Sequence, residues 1–359
     1  MTSILAFIVV LGVLIVVHEL GHFITAKLAG ISVPRFSVGF GPKVLGFKRG
    51  ETEYVISALP LGGYVKMAGM GEDEALEVIE GGKDDIEVPP ERRFDSKSIG
   101  TRAVVISAGV VMNFIFAVIV YAGLAYFESW EPLIGEVKAD APAAEAGLQA
   151  GDLILAVDGN KVKQWREFAE YVSARPGGSV VLTVARDGHE LELETRVGRG
   201  VHPISGDSLS TGQIGVVRDT LNARRVPELA GSLVIGTQQT VAMSRIVIVF
   251  LGQLFSGQAS ARDIGGPIMI GQISGEAARA GIIPFLTFMA ILSVHLAVLN
   301  LLPIPILDGG HLVFLAIEGV RGRALSIEAR ARLSQVGLLL ILGIMVWALT
   351  ADVLRLTGN

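Results

Sequence analysis

Residues 12–28 read GVLIVVHELGHFITAKL, an apolar run that carries two histidines and a glutamate. A charged side chain near the centre of a helix in lipid costs roughly 2.5–3.5 kcal/mol on insertion scales, so these groups need compensation inside the fold. His18, Glu19 and His22 follow the pattern H-E-x-x-H. On a helix, positions i and i+4 share a face one turn apart. Both imidazoles can therefore reach one Zn2+ near ~2.1 Å, with the glutamate beside it as a base. A metal in a water-filled cavity offsets the cost of all three groups at once. Two other chemistries use the same residue types. A proton relay in a carrier is one, although the spans show no internal repeat; a haem on paired histidines is the other, although it leaves the glutamate without a role.

Zinc needs at least a third protein ligand and an open position. The best candidate lies far along the chain, in NLLPIPILDGGHL (residues 300–312), where Asp308 follows two prolines and precedes Gly309-Gly310. His311 is the rival ligand in the same stretch.

The rest of the chain fixes the setting. It has 359 residues, 51% of them hydrophobic, and a mean hydropathy of +0.56, too apolar for an ordinary soluble protein. A net charge of -5 gives no electrostatic footprint for nucleic acid. The absence of cysteine rules out disulfides and thiolate zinc ligands. Four stretches reach the length of a span, at about 4–28, 102–126, 283–302 and 334–352. The first lacks a basic segment before it and a small-residue cleavage site after it, and is expected to be a retained span rather than a signal. A fifth stretch, 232–255, is interrupted by Gln238, Gln239 and Arg245 and suits an amphipathic helix at the interface.

Arg321, Arg323, Arg330 and Arg332 cluster before the last span, so both termini are expected outside and the loops 29–101 and 303–333 in the cytoplasm. Residues 29–68 alternate strand-like runs with Gly and Pro turns and predict two or three short antiparallel strands on that side, associated with the membrane. The acidic stretch within 69–101 reads as a solvated mobile loop. Outside, residues 127–200 give a strand, a helix opened by Pro142 and closed by Gly147, and a strand ending at Asp158-Gly159. A helix and a hairpin turning at Asp187-Gly188 follow. A linker with interfacial amphipathic helices occupies 201–282. The expected fold is thus a polytopic α-helical membrane protein of about four spans with a β-hairpin segment and one α+β domain.

The stretch APAAEAGLQAGDLILAVDG resembles a PDZ domain, which binds an extended peptide or C-terminus at a sheet edge. That resemblance implies a peptide-binding loop at Leu133, Ile134, Gly135 and Glu136; a plain α+β domain without a groove is the alternative. HELGH, GFGPKVLGF, LPLGGYVKM and NLLPIPILDGG together with this unit resemble the site-2 protease family of intramembrane zinc metalloproteases, in its bacterial RseP (regulator of sigma-E protease) type. The resemblance implies Zn2+ held by His18, His22 and Asp308, with Glu19 as catalytic base. It implies substrate contacts at Asn300, Pro303 and Pro305, with Asn113 of the second span among them. It also implies single-span membrane proteins as substrates, such as anti-sigma factors or remnant signal peptides. The location implied is the bacterial inner membrane, with the active site toward the cytoplasm and the PDZ domain in the periplasm. Two departures stand out: Gly109-Val110 where the family often has Gly-Pro, and one PDZ unit where the enterobacterial member has two. A membrane-tethered binding module with a structural zinc, and a zinc or proton transporter, are the readings of a different class.

Overall fold

Hydrophobic length decides where the long helices form, and short turn signals decide the rest. The computed structural model describes residues 2–70, 88–201, 208–258 and 265–357. Its helices are α1 (Thr2–Leu28), α2 (Ile99–Phe127), α3 (Pro142–Glu145), α4 (Trp165–Ser173), α5 (Leu229–Phe255), α6 (Pro267–Ala280), α7 (Ile282–Asn300), α8 (Asp308–Arg321) and α9 (Ile327–Thr357). The strands are β1 (Arg35–Arg49), β2 (Thr52–Lys66), β3 (Ile134–Val137), β4 (Leu153–Val157), β5 (Asn160–Lys161), β6 (Ser179–Arg186), β7 (His189–Arg196), β8 (Gly198–Val201), β9 (Ser208–Gln213) and β10 (Val216–Arg218). The chain divides into two units, one of residues 1–121 with 236–359 and one of residues 122–235.

Five helices among the described residues are long and apolar enough to cross a membrane: α1, α2, α5, α7 and α9. Residues 232–255, expected at the interface, form most of α5, the least hydrophobic of the five. It buries one narrow stripe, Ser232, Gly236, Thr240 and Val247, while Gln238, Gln239 and Arg245 stay exposed. The last helix starts earlier than the hydrophobic run, because the polar turns from Ile327 to Ser334 continue it. The acidic stretch 71–87 lies outside the described residues.

In the first unit, the segment after α1 is longer and more folded than two or three short strands. β1 pairs with β2 twice over: Phe36 lies opposite both Tyr54 and Val65, and Tyr54 lies opposite both Phe36 and Phe47. The two 15-residue strands therefore bend back on themselves into four antiparallel rows, with 63–66 at one edge and 43–49 at the other. Glu51, at the turn between them, accepts hydrogen bonds from Lys27, Ser32 and Arg92, which pins the turn to the end of α1. Ala26, Ile31, Phe36, Val65, Met67, Phe94, Val105 and Leu315 make the adjoining core.

The second unit holds the four-stranded sheet β5-β4-β6-β7 closed over Phe168, Leu182, Val184 and Ile154. Asp158 and Gly159 have φ of 48° and 76°, and Asp187 and Gly188 have φ of 51° and 80°. Positive φ at both central residues gives the turn twist that two antiparallel strands need, and Asp-Gly tolerates it. The unit does not stop at residue 200. β10 pairs antiparallel with β3, Val216 opposite Val137 and Val217 opposite Glu136, and the Asp219 N–H donates to the Leu133 carbonyl.

Candidate metal centre

α1 presents His18 and His22 on one face, as the 3.6-residue period requires. Their Nε2 atoms lie 3.3 Å apart. Asp308 Oδ2 lies 3.3 Å from His18 Nε2 and 3.4 Å from His22 Nε2. Three ligand atoms thus form a nearly equilateral triangle. Ligands about 2.05 Å from a tetrahedral Zn2+ are separated by about 3.3–3.4 Å, so the donor set and its spacing fit that ion. Asp308 Oδ2 is buried without a hydrogen-bond partner, the condition expected of an oxygen whose partner is a cation. Among the described residues, His18, His22 and Asp308 are the one group of this kind. His311, the rival ligand, is not part of it; its ring packs edge-on against Phe314.

Asp308 arrives by a device of its own. α7 ends at Asn300, a short bend carries Pro303 and Pro305, and Asp308 is the first residue of α8. A carboxylate in the first turn meets the positive end of the helix dipole. Gly309 and Gly310 let α8 begin against the bend, since a Cβ at either would lie within 2.7 Å of the Leu301 or Ile304 carbonyl carbon. Ile306, β-branched, sits at φ 94° two residues before the aspartate. An L side chain at such a φ costs on the order of 1–3 kcal/mol, so surrounding structure must hold it.

Three further glycines bring the elements together. Gly21, inside HELGH, lets α1 approach α2: its Cβ would lie 2.7 Å from the Ala108 carbonyl carbon. Across that contact, a Cβ on Gly109 would lie 2.8 Å from His18 Cε1 and from His22 Cε1. Gly63, on the 63–66 row, would place a Cβ 2.6 Å from Ile15 Cγ2 and 3.2 Å from Glu19 Cγ. Glu19 is 9% exposed and sits directly beneath that strand. None of these contacts is readable from spacing; a glycine in an apolar span, where alanine favours the helix by about 1 kcal/mol, is the available hint.

The imidazoles are also held from behind. His22 Nδ1–H donates to the Val105 carbonyl at 2.9 Å, which leaves Nε2 with its lone pair free for a metal. Asn113, grouped by resemblance with substrate contacts, is fully buried behind His18, its amide 3.1 Å from His18 Nδ1. Asn300 is half-buried at the last turn of α7, Pro303 is exposed and Pro305 half-buried. The edge expected to receive a peptide, Leu133 to Glu136, is instead covered by β10 of the same chain, because backbone groups on that edge already bond to Val216–Asp219.

Farther along α8, Arg102 of α2 grips Glu318 through two hydrogen bonds of 3.1 and 2.6 Å, with Arg330 3.7 Å from the same carboxylate. The Arg102 guanidinium holds the Glu318 carboxyl below the usual range, and Arg330 adds to this. The pair fixes α8, and with it Asp308, against the helix that backs both histidines.

Comparison with known proteins agrees in kind. Residues 6–344 match the profile of peptidase family M50. A putative zinc metalloprotease of Agrobacterium fabrum is 37% identical, covering 99% of this chain and 96% of its own. Zinc metalloprotease RasP of Geobacillus kaustophilus is 32% identical over 96% of each. A putative zinc metalloprotease of Pasteurella multocida aligns over 456 positions at 33% identity and 99% of each chain, so it carries sequence this 359-residue chain lacks. The PDZ domain of an SdrC-like protein from Listeria innocua covers 24% of this chain and 92% of its own at 28% identity, with a TM-score of 0.21, which leaves the fold of residues 122–235 to be argued from its own strands.

Proposed function

The chain belongs to peptidase family M50 and is a zinc metalloprotease of the membrane, and from that premise we propose that it cleaves peptide bonds within or near the transmembrane segment of single-span membrane proteins. The observation that carries this is the triangle of His18, His22 and Asp308 beside Glu19, a base next to a three-ligand site, on a helix long and apolar enough to cross a bilayer. A structural zinc would be expected to use four protein ligands and to need no base.

Held by His18, His22 and Asp308, a zinc ion would supply a Lewis acid for the substrate carbonyl and lower the pKa of a water. Glu19 accepts the proton of the attacking water and returns it to the leaving amide nitrogen. Its burial under Gly63 limits competing solvent. A substrate helix hides its carbonyls in i to i+4 bonds and must unwind before it can be cut. The 63–66 row supports the exchange: among the described residues its outer edge pairs with no strand, it passes over Glu19, and an extended substrate can add to it.

For the topology, we assign the crossings to α1, α2, α7 and α9, with α5 at the interface. The support is parity. Asp352, near the end of α9, accepts hydrogen bonds from the N–H groups of Gly266, Ile268 and Met269 at the start of α6. Gly275 of α6 lies against Ser3 at the start of α1. The two ends of the chain therefore meet one short helix on one face, which requires an even number of crossings. The basic cluster before α9 supports a reading in which the opposite face, with the metal centre, lies in the cytoplasm of a bacterial inner membrane and residues 122–235 lie in the periplasm. In that domain the peptide-receiving edge is β10, whose far side pairs with no strand among the described residues. Anti-sigma factors and remnant signal peptides are the substrate classes this reading favours.

The test is Glu19→Gln in purified protein with a model single-span substrate. Zinc content unchanged and cleavage abolished is the expected result; persistent cleavage removes Glu19 from its role.

A further inference from the structure

We propose that Asn113 is a positioning residue for the metal centre: its side-chain amide oxygen accepts the Nδ1 proton of His18 and so selects the tautomer whose Nε2 binds zinc. The inference rests on His18 as a zinc ligand. Asn113 is 0% exposed, and the Ser293 hydroxyl bonds to its backbone carbonyl, so α7 fixes the residue from the other side. Its amide nitrogen stands 3.1 Å from His18 Nδ1, and its oxygen is buried without a partner. A neutral imidazole that offers the Nε2 lone pair to a metal carries its proton on Nδ1. Two N–H donors cannot face each other at that distance. A half-turn of the terminal amide exchanges oxygen for nitrogen with little change of shape, and turns the repulsive pair into an N–H···O hydrogen bond. One buried amide atom lacks a partner in either orientation, so the orphaned oxygen does not choose between them; the proton on Nδ1 does.

His18 would then be held as His22 is. There the Nδ1 proton already goes to a carbonyl oxygen, that of Val105 on the same helix, α2, two turns earlier. Both ligands from α1 are thus oriented by oxygens of α2, one from the backbone and one from a side chain. The first cannot be lost by substitution, whereas the second can.

Substitution separates acceptor from donor. Asn113→Asp keeps the acceptor and removes the amide N–H; Asn113→Leu keeps the volume and removes both. Zinc affinity is read by competition with a chelator, alongside the thermal midpoint of the metal-free protein. Loss of an outer-shell partner of this kind lowers affinity roughly ten- to hundredfold. The expected result is that fall in Asn113→Leu, with near wild-type affinity in Asn113→Asp and little change in either metal-free midpoint. Wild-type affinity in Asn113→Leu, or equal loss in both variants, overturns the proposal. If Asn113→Leu does not fold, the 15N spectrum of histidine-labelled, metal-free wild type decides: the neutral His18 ring carries its proton on Nδ1 if the proposal holds and on Nε2 if it does not. His18→Ala distinguishes the deeper failure, because retention of zinc there would remove the ligand on which the inference stands.

Discussion

Replacing Gly109 with alanine adds one methyl group where α2 crosses behind the two histidines. The added carbon would lie 2.8 Å from His18 Cε1 and His22 Cε1 and closer still to His22 Nε2. Ordinary contacts between such carbons begin near ~3.5 Å, so something must move by more than about half an ångström. The imidazoles cannot simply swing aside: His22 is tied to Val105, one turn before Gly109 on the same helix, and His18 lies against Asn113, one turn after it. Backing α2 away strains both ties. Metal distances tolerate roughly ±0.2 Å, so the displacement is several times what the site can absorb. Overpacking of this size costs typically ~1–3 kcal/mol, which a protein of this length survives. The expected outcome is a folded protein with zinc affinity reduced at least roughly tenfold, as for loss of an outer-shell partner. Gly123→Ala is the control, on the same helix with open space around it; a Gly-to-Ala change there favours the helix. Metal analysis and thermal unfolding of both variants in detergent micelles check the argument. Wild-type zinc affinity in Gly109→Ala would refute it.

Two other perturbations act at a distance from the metal. Glu318→Leu strands Arg102 and Arg330 together, whereas Arg102→Leu leaves Glu318 with Arg330, so the first should destabilise more, by about 3 kcal/mol or more, as read by thermal unfolding. Glu318 has a lowered pKa in the folded state, so its contribution is complete above the ordinary carboxylate value near 4.5 and is lost as pH falls below it; Glu318→Gln should lack that decline. At Ile306, both Gly and Ala remove the side chain but only Gly relieves φ 94°. Ile306→Gly should therefore be more stable than Ile306→Ala by roughly 1 kcal/mol, the reverse of the usual order, and equal midpoints would count against the strained bend.

Much of this architecture is legible in the chain because its causes are local. Hydrophobic length marks α1, α2, α7 and α9, helical period puts His18 and His22 on one face, and Asp-Gly pairs mark the hairpin turns of the second unit. Asp308 is legible only as one of two candidates: both it and His311 stand at the right end of α7, and the bend built by Ile306, Gly309 and Gly310 is what aims the carboxylate. Pairings between distant segments leave no such mark. Nothing near Leu133 announces that Val216–Arg218, some 80 residues later, will pair with its strand. Alternation in residues 35–66 shows strands but not that each folds back on the other, which is what carries Gly63 over Glu19. Arg102 and Glu318 likewise read as ordinary charges at helix ends until they meet.

On this reading α1 and the start of α8 together hold one catalytic zinc. This is tested most directly by the zinc-to-protein ratio of Asp308→Ala beside His311→Ala, each purified in the same detergent and assayed on the same single-span substrate. Loss of zinc and of cleavage is expected in Asp308→Ala, with zinc at the wild-type ratio of one per chain in His311→Ala. Zinc retained in the first and lost in the second would contradict it.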